Sequence, residues 1–310
     1  MDGNSGTQPP DTLCVDIGGT STKAGVLDAS GHLAFVDSIP TLSDAETYMC
    51  ALVRLIAGIE VQSPYDLSQM GVSVAGFLDD ERTRLVYNSN LPWLEDFPLR
   101  ERLCAAFPNI RIELEVDSNA AAVAEYRHGS GRGSRRFLCV TCGTGVGVGM
   151  TVDGVPLRFA YGCLGDMGHV IVQKDGPLCT CGGRGCAEAM ISAPVLANKF
   201  RTVSALQQPA TLRDVIEAAR VGDPLALGIL TEAGEWLGLA IASMANTLFP
   251  DRIAIAGGLS AAGELILEPA ERVFRNSASQ AARSRTELAV ASLGSSASLV
   301  GAGLLFPPKT

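Results

Sequence analysis

One short pattern occurs twice in this 310-residue chain and limits what it can fold into: a strand, a tight turn of glycine and threonine, and a returning strand. Thr12 to Ile17 reads as a buried strand, Gly18-Gly19-Thr20 as the turn, and Thr22 to Leu27 as the return. In the second half, Phe137 to Thr141 runs into Cys142-Gly143-Thr144-Gly145-Val146-Gly147-Val148-Gly149, and the chain continues as strand through Thr151 to Val155. Two halves that open alike suggest two related lobes facing each other over a shared ligand. The length agrees, because single cores seldom grow beyond about 250–300 residues.

The rest of each half reads as alternating helix and strand, hence α/β. Ser43 to Ile59 has helical periodicity, with Ser43 as N-cap and Glu46 as its capping-box partner. Met70 to Ala75 and Ile110 to Val116 read as strands, with a helix near Leu99 to Phe107 between them. Asp223 to Leu248 reads as a long helix, Arg252 to Ala256 as a strand ending at Gly257-Gly258, Glu287 to Ala291 as a last strand and Ser296 to Phe306 as a last helix. The expected organisation is a flexible leader at 1–10, a small lobe of 11–117 plus about 296–310, and a larger lobe of 118–295. Hydrophobic residues make up 47% and charged residues 18%, which excludes large-scale disorder.

A net charge of -9 argues against a nucleic-acid surface, which needs clustered Lys and Arg. It leaves room for a nucleotide held by backbone N–H groups and a metal ion. Leu237 to Leu248, the longest apolar stretch, is broken by Ser243 and Asn246, so no membrane span is expected. Nine cysteines without an export signal suggest reduced thiols in a cytoplasm. Six of them (Cys14, Cys50, Cys104, Cys139, Cys142 and Cys163) are expected to act as small buried hydrophobes.

Asp16 beside Gly18-Gly19-Thr20 is a carboxylate placed to hold hydrated Mg2+ next to a turn whose amides and Thr20 hydroxyl can approach a phosphate. An ordinary glycine turn would look the same. The second turn, Gly143-Thr144-Gly145, gives a triphosphate its other grip, and bare backbone at Gly257-Gly258 suits a base and ribose. Lys23 is within reach on paper, or is a solvated strand residue. Taken together these segments resemble the phosphate and adenosine motifs of the ROK family of sugar kinases, from Leu13 to about Leu305. The resemblance implies a two-lobed actin/hexokinase-like ATPase fold with ribonuclease H-like lobes and an interlobe cleft, ATP and Mg2+ as cofactors, and a homodimer.

His169 with Cys179, Cys181 and Cys186 offers one imidazole and three thiolates, which suits four-coordinate Zn2+ and leaves no open position for catalysis. The resemblance makes this zinc structural, ordering a sugar loop. Asp117, in Glu115-Val116-Asp117-Ser118-Asn119, reads from the residues alone as a helix N-cap. In the resembling kinases the aspartate at this place takes the proton of the attacking sugar hydroxyl, with Asn119 and Glu125 as supporting helix residues. Sugar contacts carried over are Gly76, Asn90, Val116, Asp117, Asp166, His169 and Glu188, with His169 serving metal and sugar through its two nitrogens.

Two positions depart from the family. Val116 stands where an asparagine amide meets ring hydroxyls, and Asp166 is a methylene shorter than the family's glutamate. The expected function is ATP-dependent phosphorylation of a primary hydroxyl of a hexose-like acceptor, with an amino sugar or cyclitol preferred over glucose. The alternatives are plain glucokinase, a catalytically silent sugar-binding protein, a repressor of the same family, for which the acidic chain lacks an added DNA-binding region, and an acetate-kinase-like or chaperone-like ATPase, which would not need the cysteine cluster.

Overall fold

The computed structural model describes residues 11–88, 91–205 and 208–306, so the expected leader and Asn90 lie outside the described residues. The chain divides into two compact units. Among the described residues, the first comprises 11–124, 158–163 and 296–306, and the second 125–157 and 164–295. Against the 11–117 plus about 296–310 read from sequence, the first unit runs on to 124 and also takes in the short internal segment 158–163.

In the first unit, β1 (Thr12–Ile17), β2 (Ser21–Leu27), β3 (Leu33–Pro40), β4 (Gln69–Val74) and β7 (Arg111–Val116) form a five-stranded sheet in the order β3-β2-β1-β4-β7. β2 runs antiparallel to β1 and β3, while β4 and β7 lie parallel to β1. The strand alternation sorts the two faces. Leu13, Val15 and Ile17 pack with Tyr48, Leu52, Ile56 and Ile59 of helix α1 (Ala45–Gln62), whose three- and four-residue spacing makes one apolar stripe. The N-cap of α1 is Asp44, which accepts from Thr47 N–H at 2.8 Å, in place of the expected Ser43. On the opposite parity, a Cβ on Gly303 would lie 2.6 Å from Cys14 Sγ, so that face receives helix α10 (Ala297–Gly303). Small residues permit the approach: a Cβ on Gly71 of β4 would fall 1.8 Å from the Ala302 carbonyl oxygen. Helices α2 (Leu99–Ala106) and α3 (Asp117–His128), with the hairpin of β5 (Phe77–Leu78) and β6 (Leu85–Tyr87), complete this part.

The second unit repeats the plan. β8 (Arg136–Cys142), β9 (Val146–Val152), β10 (Val155–Pro156), β11 (Arg252–Ala256) and β12 (Glu287–Val290) are ordered β10-β9-β8-β11-β12, with β9 antiparallel to β8 and β10, and β11 and β12 parallel to β8. Order and directions match the first sheet strand for strand. The glycine turn is shorter than expected, because Val146 to Gly149 already belong to β9 and Asp153-Gly154 form a second turn. Helices α4 (Ala187–Ile191), α5 (Ala193–Val203), α6 (Leu212–Arg220), α7 (Pro224–Leu248), α8 (Glu264–Ser277) and α9 (Gln280–Arg283) pack around the sheet.

α7 is capped by Asp223, which accepts from Leu225 N–H at 2.8 Å and Ala226 N–H at 3.0 Å. Among the described residues it is the one helix long and apolar enough to cross a membrane; 56% of its apolar window is buried. It packs closely on α8, since a Cβ on Gly238 would fall 2.5 Å from the Ala270 carbonyl oxygen. Of the six cysteines expected inside, Cys50 and Cys104 are exposed. Their helical neighbours face the core and leave them on the outer side.

Candidate active site

The parallel strands β1, β4 and β7 are in register through Asp16, Ser73 and Glu115, which brings Asp16 to the same edge of the sheet as Asp117, two residues past Glu115. The Ser73 hydroxyl donates to Asp16 Oδ1 at 3.0 Å. Burial raises the Asp16 carboxyl, and the Ser73 hydrogen bond and the charge of Lys23, its partner across β1–β2, oppose that rise. Asp117 is half-buried, and burial first and the nearby Asp16 charge second push its carboxyl up to about 7. The Ser118 N–H donates to its Oδ1 at 2.7 Å. A carboxylate that is part-accessible, at a strand end and titrating near neutrality has the properties of a general base.

The first turn is tied down from behind. Gly18 N–H donates to Ser21 O at 3.1 Å, Thr41 N–H to Thr20 O at 3.0 Å, and the Thr41 hydroxyl to Gly18 O at 2.8 Å. Gly19 and Thr20 are exposed and their amides and hydroxyl are available to an anion. Gly76 follows β4, and Val116 is 4% exposed at the end of β7.

In the second unit Gly143 N–H donates to Gly145 O at 2.9 Å and Thr144 is exposed. Gly257 has φ +76°, and a Cβ there would fall 2.5 Å from the Cys142 carbonyl oxygen, so the glycine at the end of β11 sits against the start of the second turn. At Gly258 a Cβ would meet the Leu212 side chain at 3.5 Å and the Cys142 carbonyl oxygen at 4.0 Å, both ordinary contacts. Glu188 accepts from Val146 N–H at 2.9 Å and the Thr180 hydroxyl at 3.0 Å, which ties the cysteine loop to the Gly145 turn.

The ligand atoms of His169, Cys179, Cys181 and Cys186 lie within 4.8 Å of one another. Cys179 Sγ is 3.4 Å from His169 Nδ1, and Cys181 Sγ is 3.7 Å from Cys186 Sγ. Tetrahedral zinc with ordinary bond lengths would need edges of about 3.5 and about 3.8 Å. The donors can therefore hold zinc with Nδ1 as the histidine ligand, while Nε2 lies 3.6 Å from Asp166 Oδ1. The Gly183 N–H approaches Cys181 Sγ at 3.4 Å and lowers that thiol's pKa.

The sequence-predicted residues thus fall into two groups. Asp16, Gly18, Gly19, Thr20, Lys23, Gly76, Val116 and Asp117 are in the first unit; Gly143, Thr144, Gly145, Asp166, His169, Cys179, Cys181, Cys186, Glu188, Gly257 and Gly258 are in the second.

Sequence reasoning missed a network beside Asp117. Glu115, fully buried, accepts from Arg158 Nε at 2.9 Å, Arg82 Nη1 at 3.3 Å and Asn119 Nδ2 at 2.9 Å, and the Asn119 amide also donates to Gly162 O at 2.8 Å. This network holds the internal segment Arg158–Cys163 within the first unit. No sequence signal could have paired residues so far apart; only the cost of burying a lone glutamate hints at it.

The ROK family model matches residues 12–309. The chain belongs to the ROK family. It is 31% identical over 307 residues to the glucokinase of Streptomyces coelicolor, covering 94% of this chain and 96% of that one. It is 28% identical to the N-acetylmannosamine kinase of Haemophilus influenzae, over 94% of this chain and 93% of the relative. Among solved structures, the ROK glucokinase of Streptomyces griseus in complex with glucose and AMPPNP is similar with a TM-score of 0.86 and 31% identity, over 95% of this chain and 98% of that one. The fold is the hexokinase-like ATPase fold of ROK proteins. Val116 ends β7 with two methyl groups just before Asp117, and the Asp166 carboxylate lies 3.6 Å from His169 Nε2.

Proposed function

We propose that this protein is an ATP-dependent carbohydrate kinase that phosphorylates a primary hydroxyl of a hexose or hexose-like ring. The observation that carries the reading is Asp117, half-buried beside Asp16 and pushed up to about 7. Asp117 takes the proton of the acceptor hydroxyl as its oxygen bonds to the γ-phosphorus; the bond from that phosphorus to the bridging oxygen breaks, and the electron pair leaves with ADP. The amides at Gly18-Gly19-Thr20 and Gly143-Thr144-Gly145 bind phosphate oxygens, and Gly257-Gly258 give the adenosine close backbone approach. Asp16 holds hydrated Mg2+, which when bound neutralises phosphate charge. His169, Cys179, Cys181 and Cys186 hold structural zinc and with it the loop that carries Glu188. Gly76, Asn90, Asp166, His169 and Glu188 orient the acceptor.

Support for the kinase reading comes from the ROK membership and the glucokinase relatives. Val116 and the shorter Asp166 are the reasons to expect an acceptor other than glucose, an amino sugar or a cyclitol. A hydroxyl facing Val116 loses a partner worth about 1–3 kcal/mol. On the same reading the enzyme is a cytoplasmic homodimer. The test is ATP-dependent phosphorylation across hexoses, amino sugars and cyclitols, comparing the protein with Asp117→Ala. Turnover that the substitution abolishes is expected. Sugar binding without turnover in either protein would replace the kinase by a catalytically silent sugar-binding protein.

A further inference from the structure

Tyr161 is a tyrosine in left-handed backbone, with φ +61° and ψ 24°, followed by Gly162 at φ +69°. A side chain at such a φ is uncommon and strained, so it persists only where its surroundings impose it. The network described above supplies the constraint: Arg158 is held by Glu115, and the Gly162 carbonyl by the Asn119 amide at 2.8 Å. The imposed conformation does not bury the ring. Tyr161 is 56% exposed, and its ring meets Phe77 edge-on with centroids 6.1 Å apart; Phe77 in turn stacks on Tyr87, itself 50% exposed, at 6.1 Å and 26°.

This aromatic group adjoins the acceptor residues along the chain, and the residue after Tyr161 packs near one of them. Phe77 follows Gly76 directly. A Cβ on Gly162, the residue after Tyr161, would lie 3.8 Å from Val116 Cγ2 and 3.7 Å from Leu78 Cβ, and Val116 precedes Asp117. The first unit thus sets two partly exposed rings, Tyr161 and Tyr87, on segments that adjoin Gly76 and the buried Val116, the residue before the proposed base. Aromatic faces carry negative charge density and favour C–H groups, whose edge is positive, over hydroxyl oxygens.

Resting on the kinase reading above, we propose that Tyr161, supported by Phe77 and Tyr87, is the specificity-determining wall of the acceptor site. It reads the C–H face of a six-membered polyol ring and disfavours rings that carry an axial hydroxyl on that face. The acceptor class is a hexose or cyclitol with equatorial hydroxyls.

The test uses Tyr161→Gly, which suits the left-handed backbone and so removes the ring without a folding penalty, and Tyr161→Phe, which keeps the ring. The turnover probes are glucose and its C2 and C4 epimers; scyllo-inositol, which has no primary hydroxyl, serves as a binding probe alone. With Tyr161→Gly, KM for glucose is expected to rise about tenfold, and preference over the axial epimers to fall about tenfold, while KM for ATP holds. Tyr161→Phe should restore both. Calorimetric titration of the same rings without nucleotide reads the wall separately from turnover. About tenfold weaker binding of equatorial rings to Tyr161→Gly supports it, and equal binding to wild type and Tyr161→Gly overturns it whatever the kinase activity. Loss of turnover by the wild-type protein on every probe, with that binding difference intact, would remove the kinase reading alone.

Discussion

The phenol oxygen of Tyr48 lies 2.6 Å from the hydroxyl of Thr22, which lies 3.1 Å from that of Thr41, and Thr41 donates to the Gly18 carbonyl at 2.8 Å. This buried chain of hydroxyls supports the first glycine turn from below. Burial first, and the nearby Asp16 charge, push the Tyr48 phenol far above its ordinary pKa, so it stays a neutral donor at any working pH. Tyr48→Phe keeps the ring, which packs edge-on to Trp93 at 5.1 Å, and removes only the hydroxyl. The expected loss is about 1 kcal/mol of stability, together with a raised KM for ATP and little change in the KM for the acceptor. Thermal melts and two-substrate kinetics check it.

Asp117 makes a pH prediction with a definite sign. Its carboxyl titrates at about 7 in the folded protein, against an ordinary 3.8, because burial and Asp16 favour the neutral form. A base must be ionised, so kcat/KM should fall as pH drops through about 7. Stability runs the other way. The protonated group's advantage is complete below the ordinary pKa and is lost as pH rises through about 7, so the ionised carboxylate is a burden at pH 8. Asp117→Asn should therefore cut kcat by about 100-fold or more, and raise the melting temperature at pH 8 but not at pH 4. A variant less stable than wild type at pH 8 would show that the carboxylate is not the strained group described here.

The two adjacent glycines after β11 should behave differently. Gly257→Ala places a methyl in left-handed backbone and against a carbonyl oxygen, at a cost of about 2 kcal/mol or more. Gly258→Ala meets its neighbours at ordinary contact distance and should change stability by less than about 0.5 kcal/mol. Chemical denaturation of the pair, with KM for ATP, separates close backbone approach from a general need for glycine.

The cysteine cluster predicts a metal stoichiometry. Purified protein should carry about one zinc per chain, and Cys181→Ser should lower zinc affinity by at least about 100-fold. Because Glu188 bonds to Thr180 in the same loop and to Val146 at the second turn, metal loss should raise KM for both acceptor and ATP. Elemental analysis before and after dialysis against a chelator, with kinetics on each sample, gives the answer.

What could be read from the chain alone was what is local. The strand Arg252–Ala256 was legible to the residue, because a continuous apolar run ends at paired glycines. The His and Cys set was legible because soft ligands at short spacing have few other uses. Ser43 and Asp44 are both good caps, and sequence could not choose between them; the structure shows the carboxylate meeting Thr47. The returning strand was read only from Thr151 onward since strand propensity is poor at glycine, yet pairing with β8 draws Val146 to Val152 into a strand. Glu115 with Arg158, and Tyr161 with Phe77, join distant positions through tertiary contact. Nothing periodic in the chain marks such pairs.

The placement of α10 has a consequence for synthesis. The first unit begins with β1, but one face of β1 and β4 is covered by a helix that follows every strand of the second unit in the chain. A chain emerging from the ribosome can complete the second sheet while the first still shows an open apolar face at Cys14 and Gly71. Folding from the N-terminus onward is thus interrupted, and the unit that carries Asp117 is finished last. A product truncated before Ala297 would keep the base, the turns and the cysteine cluster and still lack the closing piece, so any such fragment should be recognised by chaperones and proteases before it can act.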